Sequence, residues 1–322
     1  MLAGVFSLSE PPLFTRLKPA SKVLIAGAGG GFDVYAGLPL AAALRGAGKQ
    51  VVLANLSFSG LRGLELDEWL APGVAAIGPR SAGPDRYFPE RTLARWLESR
   101  GLPDTVYAFA RTGVGPLRAA YRALVEHTGV DAVVLVDGGT DILLLGDEAG
   151  LGTPQEDMSS LAAVSALFEM PRLVVSLGFG IDAYHGVCHA HVLENLAEID
   201  RAGGYLGALS IPSASAEARD YLDAVAHAHA ATPARPSIVN SQIAAALRGE
   251  FGDVGGTART SGSELFVNPL MGMYFAVDAQ VLAAKVGYLG RLRETETMFD
   301  VAMVIEQYRD EVVRRPPRVF PH

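Results

Sequence analysis

Carboxylates set among glycines recur along this 322-residue chain, and theirs is the chemistry easiest to name from the sequence. The first set is Gly27-Ala28-Gly29-Gly30-Gly31-Phe32-Asp33. Glycines let backbone press against a ligand, and their N–H groups suit a phosphate or another anion. Asp33 beside such a cradle calls for a cation between it and the anion, or for a role as general base; a helix cap or turn former is the plainer alternative. The second set is Asp137-Gly138-Gly139-Thr140-Asp141, followed by Gly146-Asp147-Glu148-Ala149-Gly150-Leu151-Gly152. Two carboxylates flanking a Gly-Gly turn can hold Mg²⁺ or Ca²⁺, or can supply an acid and a base. Asp147 and Glu148 extend that acidic surface, against the plainer reading of a turn and a solvated loop.

The third set, Asp182-Ala183-Tyr184-His185-Gly186-Val187-Cys188-His189-Ala190-His191, invites a zinc reading through His185, Cys188 and His189. The spacing is not that of a known zinc motif, so proton transfer by Asp182 or His185 is the stronger expectation. Cys188 lacks the surroundings of a known cysteine nucleophile. Arg111 and the stretch Arg259-Thr260-Ser261-Gly262-Ser263 are candidate anion contacts, though a buried salt bridge explains Arg111 equally well.

Alternating elements position these groups. Strands are expected at 23–26, 51–54, 106–110, 131–136, 173–177 and 205–211, each a short apolar run. Helices are expected at 38–45, 91–100, 112–126, 155–168, 189–202, 216–231, 237–248 and 294–313, with 265–276 undecided between strand and helix. Pro39 marks a helix start, which makes the loop from Gly27 long for a dinucleotide turn. An irregular leader covers 1–20, and the Gly- and Pro-rich stretch 56–90 reads as an excursion covering the site. No linker or repeat divides the chain, so 1–322 is expected to be one α/β domain. Its form is a three-layer Rossmann-like sandwich, with helices on both faces of a mostly parallel sheet. In such sheets ligands sit outside the carboxyl ends of the strands. The exits of the first five strands carry the Asp33 loop, then Asn55, Arg111, Asp137 with Asp141, and Asp182 with His185. That content is richer than connectors need.

Composition narrows the class. A net charge of −8 argues against nucleic acid, whose phosphates demand a basic face. A single cysteine excludes an internal disulfide and any multi-thiolate zinc site. No apolar run has signal-peptide or membrane-spanning length, so a cytoplasmic protein without a membrane partner is expected. Apolar faces near the C-terminus suit either a homo-oligomer or core packing. The first glycine loop departs from the dinucleotide fingerprint, having Phe32 where Gly or Ala is needed and Asn55 where a ribose-binding acid would stand.

The two glycine–carboxylate motifs, with Asn268-Pro269-Leu270-Met271 and Tyr274-Phe275-Ala276, resemble the prokaryotic family called domain of unknown function 1152, over residues 20–310. The resemblance implies one domain, with its site at Asp33 and the loop from Asp137 to Gly152. More distantly, Asp137-Gly138-Gly139 and the acidic-Gly-Leu-Gly element after it are similar to a motif of D-glutamate cyclases, with Thr140-Asp141 in place of Asn-Glu. That likeness implies lyase chemistry on a small amino acid.

The leading expectation is an enzyme acting on a small anionic metabolite (a phosphorylated compound, a nucleoside or an amino acid) by carboxylate acid/base chemistry, with Mg²⁺ as the candidate cofactor. Lyase or hydrolase chemistry is favoured over redox. Asp33, Asp137, Asp141 and His185 are the candidate catalytic groups, and Asp33, Asp137 and Asp141 the candidate metal ligands. Gly27, Gly29, Gly30, Gly31, Asn55, Arg111, Gly138, Gly139, Thr140, Asp147, Glu148 and Asp182 are the candidate ligand contacts. A metabolite-binding or sensing protein without turnover is the alternative, and an NAD-dependent oxidoreductase the third.

Overall fold

A computed structural model describes residues 6–167, 170–254 and 266–319. In chain order its strands are β1 (Lys22–Gly27), β2 (Gln50–Leu56), β3 (Trp69–Ala71), β4 (Val74–Ile77), β5 (Val106–Phe109), β6 (Ala132–Asp137), β7 (Arg172–Leu177), β8 (Tyr205–Ser210), β9 (Gly252–Asp253), β10 (Phe266–Val267) and β11 (Met273–Asp278). The helices are α1 (Pro12–Leu17), α2 (Asp33–Ala36), α3 (Leu38–Gly46), α4 (Pro89–Ser99), α5 (Val114–Thr128), α6 (Pro154–Ser165), α7 (His189–Arg201), α8 (Ala216–Ala231), α9 (Ile238–Leu247), α10 (Ala279–Lys285) and α11 (Met298–Glu311).

The main sheet has nine strands in the order β3-β4-β5-β2-β1-β6-β7-β11-β8. Its central five, β5-β2-β1-β6-β7, are parallel throughout. Side chains along a strand alternate between faces, and here each face has its own core. Leu24 and Ala26 of β1 and Val133 and Leu135 of β6 belong to a cluster with α5, α6, α7, α10 and α11. Val23 and Ile25 of β1 and Val134 and Val136 of β6 belong to a second cluster with α1, α2, α3, α4, α8 and α9. Strands covered on both sides must be apolar at almost every position, which is why they read as unbroken runs. The three-layer α/β sandwich with a mostly parallel sheet follows from that pairing.

The structure departs from the sequence reading at the sheet's edges. Residues 56–90 are not wholly irregular: β4 pairs antiparallel with β5, and β3 with β4. At the other edge β11 pairs antiparallel with both β7 and β8, which resolves the undecided stretch in favour of a strand at 273–278. The leader contains α1, because Leu13 and Leu17 are fully buried against the second core. The C-terminal helix begins at Met298 rather than 294, since Thr297 and Asp300 form a reciprocal capping box there. The helix expected from 112 starts at Val114, whose N–H is taken by the Thr295 hydroxyl at 3.0 Å. Among the described residues no helix is long and apolar enough to cross a membrane. The anion-contact stretch proposed at Arg259-Thr260-Ser261-Gly262-Ser263 lies outside the described residues.

Candidate functional site

β1 leads into a crossover toward β2 on one side, whereas β6 and β7 extend the sheet on the other, so strand order reverses between β1 and β6. Ligands in open α/β sheets favour this point, where the two departing loops leave a crevice. Asp33 follows the exit of β1, and Asp137 is the last residue of β6. A third carboxylate meets them from Asp157, in the first turn of α6. One oxygen from each of Asp33, Asp137 and Asp157 can be chosen so that all lie within 4.8 Å of one another. Asp157 is absent from the expected metal set, and Asp141 is absent from the observed group.

The glycines around this cluster make room for the protein's own carboxylates. Gly29 donates its N–H to Asp33 Oδ2 at 2.7 Å. A Cβ on Gly29 would lie 2.8 Å from both oxygens of Asp157 and from Asp33 Oδ2. One on Gly138 would lie 3.1 Å from Asp33 Oδ1, and one on Gly139 2.7 Å from Asp182 Oδ2. Gly152, at φ +63°, clears Asp141 in the same way. The anion expected in the first glycine loop is thus in part Asp33 itself. Gly30 and Gly31, at φ +92° and +61°, turn the loop beneath the Phe58 ring, which comes from the start of the 56–90 stretch.

The remaining expected residues divide between those beside the cluster and those turned elsewhere. Asp182 accepts hydrogen bonds from Thr140 N and Oγ1 at 2.5 and 3.2 Å. Asp141 accepts from Thr153 N and Oγ1 at 2.8 and 3.1 Å, and its charge is felt by Asp33, Asp137, Asp157 and Asp182. His185 is exposed, close enough to act electrostatically on Asp141. Asn55 is fully buried: its Nδ2 donates to Gly31 O and to Glu90 Oε1, and its Oδ1 accepts from Val34 N. Those bonds clamp the Asp33 loop and commit the Asn55 side chain, which stands where dinucleotide sites use an acid to hold a ribose. Arg111 pairs with Glu156 at 2.5 Å and lies 4.9 Å over the Phe58 ring.

Asp147 and Glu148 serve the C-terminal segment. Arg315 binds Asp147 Oδ1 and Glu148 Oε1 at 2.8 and 2.9 Å, and Glu194 Oε2 at 3.0 Å. The proposed zinc residues do not converge, since His189 Nε2 meets Gly180 O and Cys188 Sγ donates to Arg318 O.

Electrostatically the cluster is loaded with like charge. Burial pushes the Asp33 carboxyl from 3.8 up to about 8, against the pull of the Gly29 amide and with a further push from Asp141. Asp137, Asp157 and Asp182 are raised well above the ordinary range, first by burial and then by neighbouring carboxylates, Asp141 and Asp33 acting on all three. Asp141 is raised by burial too, with the two Thr153 bonds opposing. Asp157 Oδ1 is buried with no hydrogen-bond partner, an expensive state for a carboxylate oxygen. Glu90, under the loop, is pushed by burial to about 7. Asp33 is the half-buried member of the metal-ligand group, the other two being 2–3% exposed. Beside the turn that carries Asp182, a cavity of about 490 Å³ opens between Phe179, Tyr184, His189, Gln242 and Leu270.

The model of the family described as Protein of unknown function (DUF1152) matches residues 68–309, three quarters of the chain, and the chain belongs to that family. No curated protein matches it. The matched span includes Asp137, Asp141, Asp157 and Asp182, whereas Asp33 and its glycine loop precede it.

Proposed function

We propose that this protein is an enzyme that holds a divalent cation on Asp33, Asp137 and Asp157 and uses it to act on a small anionic metabolite. The observation that carries the reading is the Asp157 carboxylate, buried without a partner for Oδ1 and aimed at two further carboxylates. Three hard oxygen donors at this spacing suit Mg²⁺ or Ca²⁺, which take oxygen ligands at ~2.1–2.5 Å and retain positions for water or substrate. A cation there would stabilise the ionised carboxylates and give an anionic substrate something to bind in a cluster that would otherwise repel it. Its chemistry when bound would be that of a Lewis acid on a substrate oxygen.

The chain's own groups supply the rest. Asp33, with its solvent exposure, is placed to exchange a proton with a ligand at the mouth of the cluster. Asp182 and Asp141, held by Thr140 and Thr153, orient the acidic wall. The cavity beside the Asp182 turn, which none of Asp33, Asp137 and Asp157 lines, has room for the body of a small metabolite. Lyase or hydrolase chemistry fits this inventory, since all the titratable machinery is carboxylate.

Titration calorimetry with Mg²⁺, Mn²⁺ and Ca²⁺ tests the proposal. Saturable binding of one ion per chain, lost in Asp157→Asn and in Asp137→Asn, is expected. Failure of all three ions to bind the folded native protein at millimolar concentration would refute it.

A further inference from the structure

The opposite edge of the sheet carries a second feature, of the opposite charge. Where β1, β2 and β5 begin, a cavity of about 540 Å³ is lined by Lys22, Arg45, Lys49, Tyr107 and His127 among others, with no carboxylate in its lining. Lys22, Arg45 and Lys49 are all half-buried. Lys49 Nζ donates to two backbone carbonyls, of Lys18 and Ala20, at 3.1 and 2.5 Å. Arg45 Nη2 is shut off from water and has no hydrogen-bond partner. Asp104 and Glu126 adjoin lining residues in sequence without lining the cavity themselves, and Asp131 spends its oxygens on the backbone N–H groups of Ser21 and Lys22.

Solubility does not account for this arrangement. An arginine kept for solubility extends its guanidinium into water, and in a chain of net charge −8 clustered, uncompensated cations run against the overall field. Half-burying a guanidinium without a counter-charge costs free energy, and burial accordingly lowers the Arg45 pKa from its ordinary value. A bound anion would remove that cost. The Tyr107 and His127 rings meet edge to face, with centroids 6.4 Å apart, and give the cavity aromatic surface beside the cations.

We infer that this cavity is a second ligand site, distinct from the carboxylate cluster, and that it takes an organic phosphate of nucleotide size. Its phosphates would lie against Lys22, Arg45 and Lys49, and its ring against Tyr107 and His127. Charge-assisted contacts from guanidinium and ammonium groups are the strong ones for phosphate, and the volume exceeds what a bare phosphate needs. A site at the amino edge cannot share a ligand with one at the carboxyl edge, so its role would be to sense a second metabolite.

The test is calorimetric titration of the full chain with ADP in a chelating buffer without divalent cations, with adenosine in parallel. Saturable ADP binding is expected, absent with adenosine. It should weaken by roughly tenfold in Arg45→Gln and again in Lys22→Gln, and persist in Asp137→Asn. Lys22→Gln carries the test if Arg45→Gln does not fold. The inference is overturned if native protein does not bind ADP at millimolar concentration. It is equally overturned if both cavity variants bind unchanged, if adenosine binds as well as ADP, or if Asp137→Asn is the variant that loses binding.

Discussion

Replacing Asp157 by asparagine should make the metal-free protein more stable, and most of all at alkaline pH. The side chain is 2% exposed, and one of its oxygens lies within 4.8 Å of an oxygen of Asp33 and of one of Asp137. At 4.8 Å and an effective dielectric of ~20, two ionised carboxylates repel by roughly 3 kcal/mol. Burial first, and then that repulsion, favours the protonated forms in the native cluster, which is what the raised Asp33, Asp137 and Asp157 values express. A carboxyl whose folded pKa lies above its unfolded one binds more protons folded than unfolded between the two. Its contribution to stability is therefore present at low pH and is lost as pH rises toward the folded value. For Asp33 that window runs from 3.8 to about 8.

The native metal-free protein should accordingly lose stability from about pH 5 to pH 8. Asp157→Asn, with one buried charge fewer and an amide able to donate to its neighbours, should lose less. The difference at pH 8 is expected to be on the order of 1–3 kcal/mol in favour of the variant, or a few degrees in Tm, shrinking toward pH 5. Adding Mg²⁺ should reverse the order, because only the native cluster gains the ion's binding free energy. Native cation affinity should also rise with pH through about 8, as protons leave the ligands. The assay is thermal unfolding of both proteins at several pH values, with chelator and with excess Mg²⁺. A variant equally destabilised at every pH, with no cation effect on either protein, would refute the reasoning and make Asp157 an ordinary buried group.

Gly29→Ala should cost roughly 1–3 kcal/mol by overpacking and abolish cation binding, since its Cβ would lie 2.8 Å from three carboxylate oxygens; denaturant unfolding and metal titration read the two effects. Arg315→Ala removes the cation facing Glu148, a fully buried carboxylate that also accepts from Leu145 N, Gly146 N and Asn195 Nδ2. A loss of about 2–4 kcal/mol is expected by urea unfolding, partly recovered by adding Glu148→Gln, and an unchanged midpoint would show the C-terminal segment to be dispensable.

Local chemistry was legible where it acted over a few residues. The helix at 216–231 could be read to the residue, because Ser215 caps it through the Ala218 N–H and its apolar positions repeat with helical period. Strand exits could be read because the core strands are covered on both faces and end abruptly at polar or glycine positions. Asp157 could not. An acid in the first turn of a helix beginning Pro154-Gln155-Glu156 is ordinary, since it complements the helix dipole, and nothing local distinguishes a carboxylate that faces inward. The signal available was the polar set Glu156, Asp157, Ser159 and Ser160 in a helix without a strong apolar stripe; that all of these are buried only the structure shows.

By itself the sequence determined the alternation of strands and helices, the parallel core with its doubly covered strands, and the presence of Asp33 and Asp137 at two strand exits. These follow from short-range sterics, from periodicity and from the burial that each pattern demands. Only the tertiary structure decided that those two exits are neighbours at the reversal of strand order, and that α6 delivers a third carboxylate to them. It also assigned Glu148 to Arg315 rather than to the cluster, and gave Asn55 to the loop it clamps. Each of these is a contact between residues far apart in the chain. Its sign depends on which groups share a buried volume, where an unpaired charge costs most, and no local pattern carries that information.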